Sequence, residues 1–246
     1  MKGYALTDKG RKREVNQDYI YASTENPGRF NNLFILADGM GGHKAGGFAS
    51  RFLVERIVNM VSKSETNEIR ALRGAIELSN TLLFDKSRRD SEYEGMGSTV
   101  VAAIVNGSDI TIANVGDSRL YIISDGINQI TKDHSLVEEM VRDGELVRGS
   151  EEYRAKKRYI TRAVGAEESV QVDFFEETLN EGDYVLMCSD GLSNMITDDE
   201  MLEIITGNGS IRYKAKELVD RANRNGGSDN IAVILLRYGK DGDVNA

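Results

Sequence analysis

An apolar run that ends in an aspartate and a cluster of glycines constrains this chain more than any other stretch. Residues 34–37 are apolar, and the residues directly after them read DGMGGH. A short apolar run bounded by a turn signal is typical of a strand buried on both faces. Because Asp-Gly is also a common turn, Asp38 is either a turn residue or a ligand group held where backbone comes close. In both cases the carboxylate lies at the end of a core strand.

The order of the other segments predicts an α+β fold built from antiparallel sheets. Residues 44–63 and 67–88 carry apolar side chains at helical spacing, and further helices are predicted at 133–146, 197–207 and 212–227. Thr197, followed three residues later by Glu200, predicts a capping box at the start of the helix at 197–207. Short β-branched runs separated by Asn-Gly and Asp-Gly turns predict antiparallel hairpins. Helices and strands are grouped rather than alternating, which disfavours a parallel doubly wound sheet. A pair of sheets with helices outside would bury the strands on both faces.

Composition narrows the function classes. The chain of 246 residues carries 40 acidic and 31 basic side chains, a net charge of −9, which argues against nucleic acid as a partner. It has neither a long uncharged apolar stretch nor a leader-like N-terminus, so we expect no membrane association. Cys188 is the single cysteine, which excludes an intramolecular disulfide and a cysteine zinc cluster and favours the cytoplasm. Its apolar neighbours predict that it packs as a small hydrophobe.

Five aspartates stand where predicted core strands begin or end. They are Asp18, Asp38, Asp117, Asp190 and Asp229. Taken singly, each is more often a turn residue or a cap than a ligand. Strand ends from distant parts of the chain can converge at one sheet edge, where gathered carboxylates would repel one another. Divalent cations would remove that repulsion. The chain has only two histidines, so oxygen ligands and magnesium, manganese or calcium are expected.

Such a site suits phosphoryl transfer to water. Two cations roughly 3.5–4 Å apart can share a water, make it hydroxide near neutral pH and clamp phosphoryl oxygens. Arg13 lies five residues before Asp18, and a guanidinium there would bind two phosphate oxygens with its planar fork. The alternative for Arg13 is a solvated basic turn. Since neither histidine has a convincing partner for a side-chain nucleophile, water is the expected nucleophile.

Eight segments in order resemble one known family. They are REVNQD (13–18), ADGMGGH (37–43), GSTVV (97–101), ANVGDSRLY (113–121), KDHS (132–135), ITRAVG (160–165), LMCSDGL (186–192) and GSDNIAVI (227–234). The chain is similar to the bacterial metal-dependent serine/threonine phosphatases of the protein phosphatase 2C family. The resemblance implies an α-β-β-α sandwich of two antiparallel sheets flanked by pairs of helices. It implies one catalytic domain over 1–240, followed by a polar tail over 241–246.

The resemblance also implies roles for the acidic residues and a pair of manganese or magnesium ions. Asp38 would bridge both ions, the Gly39 carbonyl would bind one, and Asp190 and Asp229 the other. Asp18 would act directly or through water, Asp117 would help Asp190 to hold a third, weaker ion, and Arg13 would bind phosphate. Two positions depart from the family pattern: Gln17 cannot supply a negative charge, and Met40 cannot donate a proton. The general acid is therefore left unassigned, and His43 is given only a structural role.

A weakly periodic, charged excursion at about 143–158 is expected to form a flap beside the cleft. Its basic side chains, namely Arg154, Lys156, Lys157 and Arg158, either attract acidic phosphopeptides or are simply solvated. Expected partners are phosphorylated proteins and a Ser/Thr protein kinase whose action the chain opposes in bacterial signalling, with the chain itself a monomer. Two alternatives stay open: a non-catalytic metal-binding regulator, and an enzyme acting on small phosphate metabolites.

Overall fold

Two antiparallel sheets pack face to face between two groups of helices, and this confirms the predicted α-β-β-α sandwich. The computed structural model describes residues 1–24, 28, 30, 32–42, 44–157 and 159–239, without the side chains of residues 154 and 155. The strands are β1 Lys2–Asp8, β2 Asp18–Ser23, β3 Asn32–Met40, β4 Gly97–Ser98, β5 Val100–Asn106, β6 Asp109–Val115, β7 Arg119–Ile123, β8 Ile127–Gln129, β9 Asp173–Thr178, β10 Tyr184–Cys188 and β11 Ile231–Arg237. The helices are α1 Ala45–Ser62, α2 Glu68–Arg89, α3 Leu136–Arg142, α4 Glu151–Lys156, α5 Asp190–Ser193, α6 Asp198–Thr206 and α7 Ile211–Arg224.

The strand orders bring both ends of the chain into one sheet. One sheet has the order β1-β11-β10-β7-β8, and the other has β2-β3-β5-β6-β9 with β4 paired to the end of β3. All of these pairings are antiparallel. Because β1 and β11 pair side by side, the loop after β1 lies next to the turn before β11. This loop and this turn border the candidate site.

Alternating side chains of the central strands fill three hydrophobic layers. On β3, Leu33, Ile35 and Ala37 pack beneath α1 and α2, while Phe34 and Leu36 pack between the sheets, and all five are 0% exposed. This is the period of two that strand geometry imposes. The other sheet alternates in the same way against α5, α6 and α7, and Cys188 is buried in that layer as predicted.

Local signals place the helix ends as the sequence predicts. Thr197 and Glu200 form the expected capping box at the start of α6. The side chain of Asn67 accepts a hydrogen bond from the Arg70 backbone at the start of α2. These caps satisfy backbone groups that have no partner inside the helix.

The predicted flap contains a helix that its weak periodicity did not reveal. Helix α4 packs Tyr153 against Val137 and Leu146 in a small hydrophobic cluster, separate from the three main layers. The Tyr153 hydroxyl also donates a hydrogen bond to Glu138 on α3. Six residues are too few for a periodic signal, so tertiary contacts hold this helix.

Some predicted features fall outside the described residues. These are His43, Arg158, the side chain of Arg154 and the tail at 241–246. Within the described ranges, none of the helices combines the length and the apolar character that crossing a bilayer requires.

Candidate active site

The register of β2 against β3 places two of the predicted carboxylates side by side. Asp18 is the cross-strand partner of Asp38. The backbone of Asp38 is fixed by Thr99, whose Oγ1 accepts from the Asp38 N–H at 3.1 Å and whose N–H donates to the Asp38 carbonyl at 2.9 Å. The Ser98 hydroxyl donates to the same carbonyl at 2.9 Å. The GST segment therefore holds Asp38 in place.

The second sheet supplies two more carboxylates at the same end of the sandwich. Asp190 is the first residue of α5, directly after β10, and Asp229 precedes β11. A hydrogen bond connects the two sheets here, because the Ser189 hydroxyl donates to Asp18 Oδ2 at 2.8 Å. Sequence reasoning missed Ser189, although it belongs to the SDG segment that contains Asp190.

Most of the predicted site residues line one cavity of about 300 Å³. They are Arg13, Asp38, Gly39, Asp117, Asp190 and Asp229. Asp18 is not among the residues that line the cavity; it is 5% exposed and lies beside Asp38. Met40 and Ile160 line the cavity too, so an apolar side chain from the segment after the flap borders the acidic residues.

Burial and mutual repulsion raise the pKa of four carboxyl groups at this site. Burial, with the charges of Asp190 and Asp229, raises the pKa of Asp18 to about 7 despite the Ser189 hydrogen bond. Burial and then the charge of Asp190 raise the pKa of Asp117 to about 8, and burial followed by Asp229 raises that of Asp190 to about 6. Burial, followed by the neighbouring aspartates, raises the pKa of Asp38 well above its usual range. The chain thus gathers negative charge that its own residues balance only in part.

Two buried carboxylate oxygens have no hydrogen-bond partner among the described residues. They are Oδ1 of Asp18 and Oδ1 of Asp190. Buried carboxylates are normally paired or bound to metal, so these orphaned oxygens fit a cation. The donors are hard oxygens, which suits magnesium or manganese. In the described part of the chain, no group of three or more His, Cys, Asp or Glu side chains is already arranged around a single metal position.

Close packing against α1 requires a glycine at position 39. A Cβ atom at Gly39 would lie 2.1 Å from the carbonyl oxygen of Gly46 in the first turn of α1. A Cβ at Gly46 would in turn lie 2.7 Å from the Gly39 oxygen. The two glycines let the helix cross the end of β3 at close range, which the DG pattern alone did not predict.

Arg13 is placed at the site by an ion pair. Its Nη2 lies 2.7 Å from Asp229 Oδ2, with the two side chains 49% and 28% exposed. Asn230, which sequence reasoning did not single out, fixes the loop that carries Arg13: its Nδ2 donates to the carbonyls of Lys9 and Val15, each at 2.9 Å. Asn230 belongs to the SDN segment, so its position was visible but its role was not.

The flap lysines lie in different surroundings. Lys156 pairs with Glu152 within α4 at 2.7 Å. Burial lowers the pKa of Lys157, as does Arg119, while the charges of Asp133, Asp190 and Asp117 raise it. The charges of the acidic site therefore act on Lys157, whereas Lys156 is paired with Glu152 in its own helix.

Comparison with known proteins is consistent with this geometry. The family model described as protein phosphatase 2C matches residues 7–235. The serine/threonine phosphatase stp of Listeria monocytogenes serovar 1/2a is 39% identical over 242 residues, covering 94% of this chain and 93% of that protein. The crystal structure of Stp1 from Staphylococcus aureus has a TM-score of 0.89 at 33% identity, covering 97% of this chain and 95% of that one. The catalytic domain of PstP, solved with two manganese ions, has a TM-score of 0.85 at 30% identity, covering 97% and 98%.

Proposed function

Since the chain belongs to the protein phosphatase 2C family of serine/threonine phosphatases, we propose that it hydrolyses phosphoserine and phosphothreonine on proteins by attack of water. The observation that carries this proposal is the cavity in which carboxylates from both sheets meet the Arg13 guanidinium. The names of the relatives support the substrate class, and the PstP complex supports manganese as the metal.

The carboxylates divide into groups by position. Asp38 and the Gly39 carbonyl come from one sheet and Asp190 and Asp229 from the other, so together they would hold two manganese or magnesium ions. Asp18, which lies beside Asp38, would bind an ion directly or through water. Asp117 would help to hold a third, weaker ion. When bound, a pair of such ions lowers the pKa of water and neutralises charge on phosphoryl oxygens.

The residues around the cavity bind and orient the phosphate. Arg13 Nη2 is held by Asp229, which aims the guanidinium across the cavity so that its remaining donors can bind two phosphate oxygens. Met40 and Ile160 contribute apolar surface that limits access of bulk water. Because a thioether carries no exchangeable proton, Met40 cannot protonate the leaving serine oxygen. Water could supply that proton, and no side chain is assigned as the general acid.

The proposed physiological role is to oppose a Ser/Thr protein kinase in bacterial signalling, in the cytoplasm. The relatives named as serine/threonine phosphatases support the reaction that such a role requires. The substrates would be proteins phosphorylated by that kinase. A phosphoproteome compared between cells with and without the gene would identify them, and an unchanged serine and threonine phosphoproteome would contradict this role.

The test of the activity is hydrolysis of an aryl phosphate and of phosphopeptides with manganese, magnesium or a chelator. We expect turnover only with metal, and faster turnover of phosphoserine and phosphothreonine peptides than of small phosphate metabolites. The Asp229→Asn protein, checked for folding by circular dichroism, serves as the inactive control. No turnover by the folded wild-type protein with either metal would favour the regulator, and preference for metabolites would favour the alternative enzyme.

A further inference from the structure

His134, from the KDHS segment, forms hydrogen bonds with the turn that carries Asp117. The ring is 6% exposed, and its Nδ1 accepts a hydrogen bond from the Gly116 N–H at 3.1 Å. The His134 N–H donates to the Gly116 carbonyl at 2.9 Å. Gly116 has a φ of +107°, in the region that favours glycine, and a Cβ there would lie 2.6 Å from Thr99. Both polar backbone groups of the residue before Asp117 are thus bound to one histidine.

The other ring nitrogen completes the assignment of the tautomer. Nε2 lies 3.1 Å from Asp173 Oδ2, and Arg162 donates to the second Asp173 oxygen, Oδ1, at 3.1 Å. Since Nδ1 accepts, Nε2 carries the proton and donates it to Asp173. Arg162 Nη1 is 3.3 Å from Nε2, but both atoms are donors, so their common partner is Asp173. Burial, together with Arg162, lowers the pKa of His134 although Asp173 opposes this, in keeping with a neutral ring.

The main chain of the same segment holds the residues that follow the flap. The Thr161 N–H donates to the His134 carbonyl at 2.8 Å, and the Leu136 N–H donates to the Tyr159 carbonyl at 2.8 Å. Between these two bonds Ile160 pairs with Ser135 and lines the candidate active site. One short segment therefore fixes a carboxylate on one side of the cavity and an apolar side chain on the other.

We infer that His134 is a positioning residue that holds Asp117 and Ile160 at the cavity through its unprotonated Nδ1 and its main chain. His134 is not among the described residues that line the acidic cavity, and its ring acts through the Gly116 amide. Its contribution to turnover rests on the proposed function, because Asp117 would help to hold the third ion. The hydrogen bonds themselves do not rest on it and can be tested without turnover.

The two amide side chains separate the roles of the two ring nitrogens. In His134→Asn, the amide oxygen replaces Nδ1 as the acceptor for the Gly116 N–H, and the donor to Asp173 is lost. In His134→Gln, the amide nitrogen replaces Nε2 as the donor to Asp173, and the acceptor for Gly116 is lost. Arg142→Gln is the matched control, since Arg142 lines the same cavity of about 440 Å³ as His134 but pairs with Asp143.

The first measurement uses the wild-type protein in chelator and needs no substitution. Nitrogen NMR of the histidine ring is expected to show an unprotonated Nδ1 and a protonated Nε2, with the Gly116 amide protected from hydrogen exchange. A protonated Nδ1, or a Gly116 amide that exchanges as fast as exposed loop amides, would overturn the inference even if every variant failed to fold.

The second measurement compares the variants. We expect Gly116 exchange to rise about tenfold in His134→Gln, the factor of one lost hydrogen bond, and about twofold in His134→Asn. The manganese concentration for half-maximal hydrolysis should follow the same order, with Arg142→Gln unchanged in both. Equal effects of Asn and Gln, or a larger effect of Asn, would show that His134 acts only by filling space. Absence of turnover in every protein would count against the proposed function and leave the exchange test intact.

Discussion

Two neighbouring clusters of buried charge are organised in opposite ways. The Arg119 cluster comprises Arg119, Tyr121, Gln129 and Asp133, and the acidic cluster comprises Asp18, Asp38, Asp117, Asp190 and Asp229. They are adjacent, because Asp117 and Arg119 are separated by a single residue. Only the first cluster balances its charge with its own side chains.

In the Arg119 cluster each charged group has several partners. Arg119 and Asp133 have side chains 11% and 5% exposed and form a forked ion pair, with Nη2 2.7 Å from Oδ2 and Nε 3.0 Å from Oδ1. The second terminal nitrogen of Arg119 donates to the Tyr121 hydroxyl at 2.8 Å, and Gln129 donates to Asp133 at 2.9 Å. Removing either charge would leave the other buried and uncompensated.

The acidic cluster, in contrast, consists of aspartates alone and contains no positive charge of its own. The pKa values of Asp18, Asp117 and Asp190 are raised, and oxygens of Asp18 and Asp190 lack partners within the described residues. Burial alone therefore does not mark a functional charge. A buried charge that is paired with the protein's own side chains belongs to the structural framework, whereas a buried charge left without partners marks a site for a ligand.

The largest expected effect is on activity, from Asp38→Asn. Loss of the carboxylate that would bridge two ions should lower aryl phosphate hydrolysis on the order of 10³-fold. In chelator at pH 8 the same change should raise the free energy of unfolding by about 1–2 kcal/mol, because it removes a buried charge whose pKa is raised. Urea denaturation measures this second effect.

Asp183→Asn is the matched control for that experiment. Asp183 is also 5% exposed, but it accepts from the Ser124 hydroxyl and the Asn180 N–H, each at 2.7 Å. Its replacement should lower stability and leave hydrolysis unchanged. If Asp38→Asn lowered stability as Asp183→Asn does, the contrast between completed and incomplete charge would be wrong.

The Arg119 cluster should respond chiefly in stability. Asp133→Asn leaves the Arg119 guanidinium without its counter-charge and should lower the free energy of unfolding by about 3 kcal/mol. The double variant Arg119→Met, Asp133→Leu should recover most of that loss, because no buried charge is left. Urea denaturation of the wild type, Arg119→Met, Asp133→Leu and the double variant gives the coupling energy. Additive losses would contradict a coupled pair.

In chelator, the acidic cluster should make stability fall as the pH rises. The pKa values of Asp190, Asp18 and Asp117 are raised from 3.8 to about 6, 7 and 8. The folded state then binds more protons than the unfolded state, so this stabilisation is complete below pH 4 and is lost between about pH 4 and 8. We expect the free energy of unfolding to fall by several kcal/mol across this window, by less in Asp38→Asn, and we expect manganese to offset the fall. Stability that rises across this window in chelator would refute it.

The sequence predicted the parts of the molecule that depend on local rules. The apolar run before Asp38 is a strand buried on both faces, and Thr197 with Glu200 is a capping box, since periodicity and capping act over a few residues. The carboxylates were predicted to converge because each lies at a strand end. Four of the five aspartates line the cavity, and the fifth, Asp18, lies beside Asp38.

The rest could not be predicted because it depends on contacts between distant segments. The Ser189 hydrogen bond to Asp18 crosses from one sheet to the other, and Asn230 fixes a loop more than two hundred positions away. The clash that excludes a side chain at Gly39 depends on how α1 crosses β3. Helix α4 is too short for a periodic signal. None of these contacts can be predicted from the spacing of neighbouring residues.

The smallest expected effect separates the two flap lysines. The charges that act on Lys157 come from both clusters, namely Arg119, Asp133, Asp190 and Asp117, whereas Lys156 is paired with Glu152. For an acidic phosphopeptide, Lys157→Gln should therefore raise KM about two- to threefold and Lys156→Gln by less than about 1.5-fold, with kcat nearly constant. The difference should shrink in high salt, because screening weakens the attraction of charges that are not fully buried. A KM that stays at the wild-type value in both variants, for acidic and for neutral peptides, would show that the flap takes no part in substrate attraction.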